Sequence, residues 1–134
     1  MFLLDSDTSI FFMKGNPAVS AHYARQGPQT IFLSAISYYE LRYGALHSGA
    51  VQSHLQAVED FTAPLTILPF TPSSAEHSSR VRQALASTGQ MIGPMDLLIA
   101  GHALEHQLTL VTGNLREFSR VPELSVVDWT ERWQ

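Results

Sequence analysis

The chain has 134 residues and a mass of 14.8 kDa, so we expect residues 1–134 to form a single domain. Cysteine is absent, which excludes disulfides, cysteine nucleophiles and zinc sites built from thiolates. The formal net charge of −4 argues against a general nucleic-acid coat protein, so a polyanionic partner would have to be bound through local arginines or a metal ion.

The composition also bears on where the protein resides. No apolar run reaches the roughly 18–20 residues that a membrane span needs. The first five residues, 1–5, lack the basic start of a secretory signal peptide. We therefore expect a soluble, cytoplasmic protein with no membrane partner.

Short apolar strands alternate with helical patterns along the whole chain. The spacing of apolar and turn-forming residues predicts strands at 2–4, 30–33, 64–69, 108–112 and 124–129. Helices are predicted near 9–13, 18–25, 35–46 and 51–61, from a cap at Ser73 or Ser74 through Leu85, and at 95–106 and 114–118. This alternation predicts an α/β fold of three layers, α/β/α, around a central, mainly parallel sheet of four to five strands.

Three acidic residues stand at strand ends or on helices that pack on the sheet. Asp5 follows the first strand directly, Glu40 lies on an otherwise apolar helix, and Asp96 occupies the first turn of the most apolar helix. Each also has a simple structural explanation: a helix cap for Asp5, a solvent-facing side chain for Glu40, and a favourable helix-dipole contact for Asp96.

These carboxylates are separated by 35 and 56 residues, yet a parallel sheet brings them to one edge, where ligands bind. Like charges brought together repel one another unless a cation neutralises them. Carboxylate oxygens favour Mg²⁺ or Mn²⁺, which promote phosphodiester hydrolysis. The pattern therefore indicates a metal-dependent hydrolase.

Four segments, 3–8, 34–45, 92–103 and 110–118, resemble in order and spacing the motifs of PIN domains, and among these the toxins of bacterial VapBC toxin–antitoxin pairs. The resemblance covers essentially the whole chain. It implies a PIN-like fold and a Mg²⁺-dependent endoribonuclease that hydrolyses RNA by metal-activated water. In that site Asp5 and Asp96 match the metal-binding aspartates, and Glu40 matches the central glutamate, which binds the metal through water or positions the nucleophile.

The resemblance also identifies supporting residues at the same edge. Asn114 stands where the family often has a fourth acid, which puts a second metal ion in doubt because an amide is a poorer ligand for a hard cation. Asp7 stands where many relatives have asparagine and restores one negative charge. Thr8 and Thr112 are expected to orient water or carboxylates by hydrogen bonding.

The resemblance further implies an RNA substrate (transfer or ribosomal RNA), a VapB-type antitoxin that covers the site, and a homodimer. Tyr38, Tyr39 and Tyr43 suit a partner groove, although aromatic residues on a helix more often belong to the core. Four arginines are candidates for contacts to RNA phosphates, in contrast to the usual solvated role of such residues: Arg80, Arg82, Arg116 and Arg120.

Three alternatives compete with this interpretation. Asp5-Ser6-Asp7 resembles the opening of haloacid-dehalogenase-type phosphatases, but the only lysine, Lys14, lies beside that motif and the late acidic pair is missing. A catalytically weak PIN-fold binding module is the alternative outside enzymes. His102 and His106 have a spacing that can bind metal, but a cationic role at the end of their helix is the simpler explanation.

Overall fold

The computed structural model describes residues 1–131, so the last three residues of the predicted domain lie outside the described part. Five strands form one sheet: β1 (Phe2–Leu4), β2 (Ile31–Ser34), β3 (Thr66–Leu68), β4 (Thr109–Val111) and β5 (Val126–Val127). Their order is β3-β2-β1-β4-β5, and every neighbouring pair is parallel. This confirms the predicted fold class. β5 is shorter than predicted because it pairs over only two residues with β4.

Within residues 1–131, seven α-helices surround the sheet, together with a 3₁₀ turn at Pro28–Thr30. They are α1 (Ser6–Met13), α2 (Pro17–Gln26), α3 (Ala35–Leu46), α4 (Val51–Thr62), α5 (Pro72–Ser87), α6 (Pro94–Glu105) and α7 (Leu115–Phe118). No helix within residues 1–131 combines the length and the apolar character that crossing a membrane requires.

Two helix starts differ from the prediction. α1 begins three residues earlier, at Ser6, because Asp5 caps it. The predicted caps Ser73 and Ser74 of α5 are wrong: Thr71 is the cap, and the Thr71 and Ser74 side chains each bond the other residue's backbone N–H in a capping box.

The sheet separates two apolar cores, since neighbouring residues of a strand point to opposite faces. Leu3 and Leu110 lie on one face with α5, α6 and α7. Leu4 and Val111 lie on the other with α2, α3, α4 and the fully buried Trp129. The central strands are thus covered on both sides, which explains why β1 and β4 are apolar throughout their paired residues.

The most extensive helix–helix contact among the described residues joins α5 to α6 and positions the start of α6 relative to the sheet. A Cβ added to Gly101 would lie 2.5 Å from the Cα of Ser78, a distance that real Cβ atoms do not tolerate. The Ser78 hydroxyl donates to the carbonyl of Leu98 at 3.3 Å. The absence of a side chain at Gly101 is therefore a packing requirement.

Gly101→Ala is expected to lower the free energy of unfolding by about 1–3 kcal/mol, because the backbone at Ser78 has to move away from the added methyl group. Chemical denaturation measures this change. The matched control is Gly44→Ala on α3, where nothing lies within 4 Å of the added carbon. That variant is expected to gain about 0.5–1 kcal/mol from helix propensity. Equal stabilisation of both variants would contradict the close-packing argument.

Candidate active site

The predicted acidic residues lie where the direction of the sheet's crossovers reverses. β1 is central and pairs with β2 on one side and β4 on the other. In open parallel sheets, ligands bind at the carboxyl ends of the strands beside such a reversal. Asp5 follows β1 directly, and its backbone N–H donates to the carbonyl of Val111 at the end of β4 at 3.1 Å.

Asp5 is held by the loop that it caps and by the end of β4. Its Oδ1 accepts a 2.8 Å hydrogen bond from the backbone N–H of Thr8. The Thr8 hydroxyl donates to the carbonyl of Val111 at 3.3 Å, and the buried hydroxyls of Thr8 and Thr112 lie near enough to the Asp5 carboxylate to lower its pKa. Burial raises the pKa of Asp5, and these hydrogen bonds oppose the rise. The helix-cap explanation therefore holds for Asp5 without accounting for its place among other acids.

Glu40 reaches the same edge from α3. The Ser6 hydroxyl donates to its Oε1 at 3.4 Å, so the start of α1 contacts the middle of α3. Its pKa is raised by desolvation, and further by the negative charges of Asp96, Asp7 and Asp5. Glu40 is half-buried, so its side chain is partly removed from solvent without entering the core.

Asp96 comes to the edge from the first turn of α6. Its Oδ2 would lie 3.3 Å from a Cβ added to Gly93, so the preceding glycine leaves room for the carboxylate. Desolvation raises the pKa of Asp96, as do the charges of Glu117, Asp5 and Asp7.

The prediction missed two residues of this edge, Ser6 and Glu117. Glu117 is the strongest charge acting on Asp96 and lies one helical turn after Asn114. Asn114 itself stands at the start of α7 without a side-chain capping bond, and its backbone N–H donates to the Thr112 hydroxyl at 3.0 Å. The expectation that Asn114 leaves this position without an acid is therefore incomplete, because the Glu117 carboxylate approaches Asp96 from the next turn.

The chemistry of these donors suits a hard divalent cation. Every side chain named at the edge offers oxygen, and the carboxylates raise one another's pKa, a cost that a bound cation removes. The carboxylates are spread around the edge: among residues 1–131 the one trio with ligand atoms all within 4.8 Å of one another is His102, Glu105 and His106.

The predicted arginine contacts have different surroundings. Arg116 is exposed on α7, beside Glu117. Arg120 donates to the carbonyl of Met91 at 3.2 Å. Arg80 and Arg82 are exposed on α5 and form no ion pair within the described residues. Of the four, Arg116 alone lies on α7, the helix that brings Glu117 to the acidic edge, and Arg120 follows two residues after that helix ends.

Two further expectations need correction. The aromatic residues of α3 are not all core: Tyr39 and Tyr43 are each 58% exposed, while Tyr38 is half-buried and donates to Glu59 at 2.8 Å. His102 is not a cation at a helix end. It is fully buried, and burial lowers its pKa so that the ring is neutral.

Comparison with known proteins relates this arrangement to a family. The profile of the PIN domain matches residues 4–124. The tRNA(fMet)-specific endonuclease VapC of Salmonella typhimurium is 38% identical over 128 residues, covering 96% of this chain and 97% of the relative. Ribonuclease VapC2 of Haemophilus influenzae is 35% identical over 128 residues, with coverages of 96% and 97%.

Solved structures agree. DNA-bound VapBC from Salmonella typhimurium superposes with a TM-score of 0.89 at 38% identity, covering 96% of this chain and 97% of that chain. VapBC2 from Rickettsia felis, bound to a promoter DNA fragment, has the same TM-score at 28% identity, with coverages of 96% and 98%. The family profile spans Asp5, Glu40 and Asp96 and most of the chain, and the chain therefore belongs to the PIN domain family, within its VapC group.

Proposed function

We propose that the chain is a divalent-cation-dependent endoribonuclease, the toxin of a toxin–antitoxin pair, with Asp5, Glu40 and Asp96 as its catalytic residues. The observation that carries the proposal is the meeting of these three acids and Glu117 at one edge of the sheet, where each of the three has a raised pKa. A fold gains no stability from such repulsion, so the arrangement favours a function that recruits a cation. Relatives named as ribonucleases support the same reaction class.

Asp5 and Asp96 would hold Mg²⁺, or Mn²⁺ in its place, with Glu40 contributing through water and Glu117 supplying the fourth carboxylate. When bound, such a cation neutralises charge on the phosphodiester and lowers the pKa of nearby water. The oxygen-only donor set favours Mg²⁺ over zinc at this edge.

The side chains around the cation would perform the other tasks of hydrolysis, which are to orient the ligands and the attacking water and to accept its proton. Thr8 and Thr112, which lower the pKa of Asp5, would hold its carboxylate in the orientation that a metal ligand needs. Glu40, which accepts a hydrogen bond from Ser6, would orient the attacking water and accept its proton. Asp7 adds negative charge that strengthens cation binding without serving as a ligand.

The proposed substrate is RNA, and transfer RNA is favoured over ribosomal RNA. The Salmonella relative is named for cleavage of tRNA(fMet), and it matches almost the whole chain. The chain is acidic overall, so affinity for the phosphate backbone has to come from local cations. Arg116 on α7 supplies one directly beside Glu117, and Arg120 follows four residues later.

A cognate antitoxin would bind the apolar groove that opens beside Glu40. This groove has a volume of about 410 Å³ and is bordered by Ile10, Met13, Leu41 and Val58. Large exposed apolar side chains continue around it on α1 and α3: Phe11, Tyr39, Tyr43 and Leu46. Such a patch on a small protein is typical of a protein interface, and it suits both an antitoxin and the expected homodimer. The solved VapBC complexes support an antitoxin partner.

Asp5→Asn, Glu40→Gln and Asp96→Asn are each expected to reduce Mg²⁺-dependent cleavage of RNA by at least about 100-fold, since even second-shell partners of a metal contribute about 10–100-fold. EDTA should abolish cleavage by the unchanged protein, and added Mg²⁺ should restore it. Added Mg²⁺ should not restore cleavage by the three variants. Glu76→Gln, an exposed acid on α5, is the matched control and should retain full activity. Cleavage that survives EDTA and all three substitutions would exclude a metal mechanism.

Attack by water predicts products with a 5′-phosphate and a 3′-hydroxyl. Attack by the RNA 2′-hydroxyl would instead leave a 2′,3′-cyclic phosphate and a 5′-hydroxyl. Sequencing of cut ends after induction in cells, with one library restricted to 5′-phosphate ends, distinguishes the two and identifies the RNA. Cut ends confined to ribosomal RNA would contradict the preference for transfer RNA while leaving the nuclease proposal intact.

Asp96→Asn is expected to raise the stability of the protein in EDTA while it abolishes activity. The folded-state pKa of Asp96 is raised, so its ionised form costs stability at neutral pH. The gain from the substitution should be largest above the raised pKa and shrink as the pH falls toward the unfolded-state pKa, because both states then become protonated. Thermal unfolding between pH 8 and about pH 4 tests this. In Mg²⁺ the gain should also shrink, since the cation stabilises only the unchanged protein. A loss of stability at pH 8 would show that the Asp96 charge is structural.

A further inference from the structure

A second group of metal-ligating side chains lies at the other end of α6. His102, Glu105 and His106 each present a ligand atom, and these atoms all lie within 4.8 Å of one another. Asp96 is in the first turn of the helix, and six residues at 1.5 Å rise separate it from His102 by about 9 Å along the axis. The group is therefore distinct from the acidic edge.

His102 has a buried nitrogen with no hydrogen-bond partner. Its side chain is fully buried, and its Nδ1 lies 2.8 Å from the Ser34 hydroxyl at the end of β2. Its Nε2 has no partner in hydrogen-bond geometry, although the carbonyl of Pro69 lies near enough to raise its pKa slightly. An orphaned buried nitrogen is rare and calls for a specific explanation.

The state of His102 suits ligation. Burial lowers its pKa, and the neighbouring His106 lowers it further, so the ring is neutral. If Nδ1–H donates to Ser34, the lone pair of Nε2 is free to bind a metal. Histidine ligands of metals are commonly fixed in this way by a hydrogen bond from the other ring nitrogen.

Glu105 and His106 complete the group on the solvent side. Glu105 accepts a 2.6 Å hydrogen bond from Ser74 at the start of α5, and its Oε1 lies 3.3 Å from Nε2 of His106. Burial acts to raise the pKa of Glu105, but hydrogen bonds from Ser74 and Ser73 and the two imidazoles hold it below its ordinary value. The carboxylate is therefore ionised at neutral pH. The side chains of Glu105 and His106 are 11% and 38% exposed, which leaves a path for an ion.

We propose that His102, Glu105 and His106 bind a zinc ion, or a similar borderline cation, at the carboxyl end of α6. Two imidazoles and one carboxylate form a known zinc donor set, with water in the fourth position. Bonds of about 2.0–2.1 Å place tetrahedral ligands about 3.3 Å apart. The partly exposed side chains of Glu105 and His106 therefore have to approach His102 by up to about 1.5 Å. The negative end of the α6 dipole favours the cation.

The site would connect three elements. His102 contacts the end of β2 through Ser34, and Glu105 contacts the start of α5 through Ser74. A cation shared by these side chains would tie α5 and α6 to the sheet. Zinc is therefore expected to stabilise the fold by binding only the native state.

The test uses the full chain with any polyhistidine tag removed. Titration calorimetry with Zn²⁺ should give one site per chain, and Zn²⁺ should raise the unfolding temperature. Co²⁺ should show the visible absorption of a low-symmetry complex. Glu105→Gln and His106→Gln alter exposed or partly exposed groups and should each weaken binding by at least about 10-fold while the metal-free fold persists.

Two controls separate this site from others. His47→Gln, an exposed histidine on the other side of the sheet, should leave zinc affinity unchanged. The double variant Asp5→Asn, Asp96→Asn should also retain the calorimetric site, which makes this result independent of nuclease activity. The proposal is overturned if no one-to-one binding occurs, if the double variant abolishes it, or if Glu105→Gln and His106→Gln bind as tightly as the unchanged protein.

Discussion

Repulsion among carboxylates at the carboxyl edge of β1 and β4 is the constraint on which the rest of this structure depends. Asp5, Glu40 and Asp96 come from three separate parts of the chain, and each has a raised pKa because it is desolvated among other acids. Hydrogen bonds compensate only part of this cost at Asp5, through Thr8 and Thr112. The remaining free-energy cost has to be offset by apolar burial in the two cores on opposite faces of the sheet.

The packing of α6 shows how the apolar cores offset the cost of carboxylate repulsion and also keep the site in place. Ile99, Ala100 and Ala103 are buried against the sheet, and Gly101 allows the backbone of α5 to approach. Because α6 is packed along this length, its first turn cannot move away from the acidic edge without disrupting these contacts. The rigidity that keeps Asp96 among like charges therefore originates farther along α6, in contacts that carry no charge.

The sequence was sufficient for the fold class and for the placement of three acids at one edge of the sheet, because strand–helix alternation and acids at strand ends are local patterns. α3 was predicted with its observed bounds, since Ser34 is a local capping signal. Glu117 was missed because its approach to Asp96 depends on how the short α7 packs on the edge. The charge state of His102 and the exposure of Tyr39 also depend on distant chain segments, which no local pattern specifies.

The two ends of α6 present donors of different chemistry, and this difference matters for the proposed Mg²⁺-dependent hydrolysis. First-row divalent ions such as zinc bind most protein sites more tightly than magnesium does, so selectivity has to come from the ligand type. The acidic edge offers only oxygen, whereas His102 and His106 offer imidazole nitrogen. At one zinc ion per chain, zinc would occupy the site of His102, Glu105 and His106 before it occupied the acidic edge. The His102 group would thus leave the carboxylates available to the cation that the proposed reaction needs.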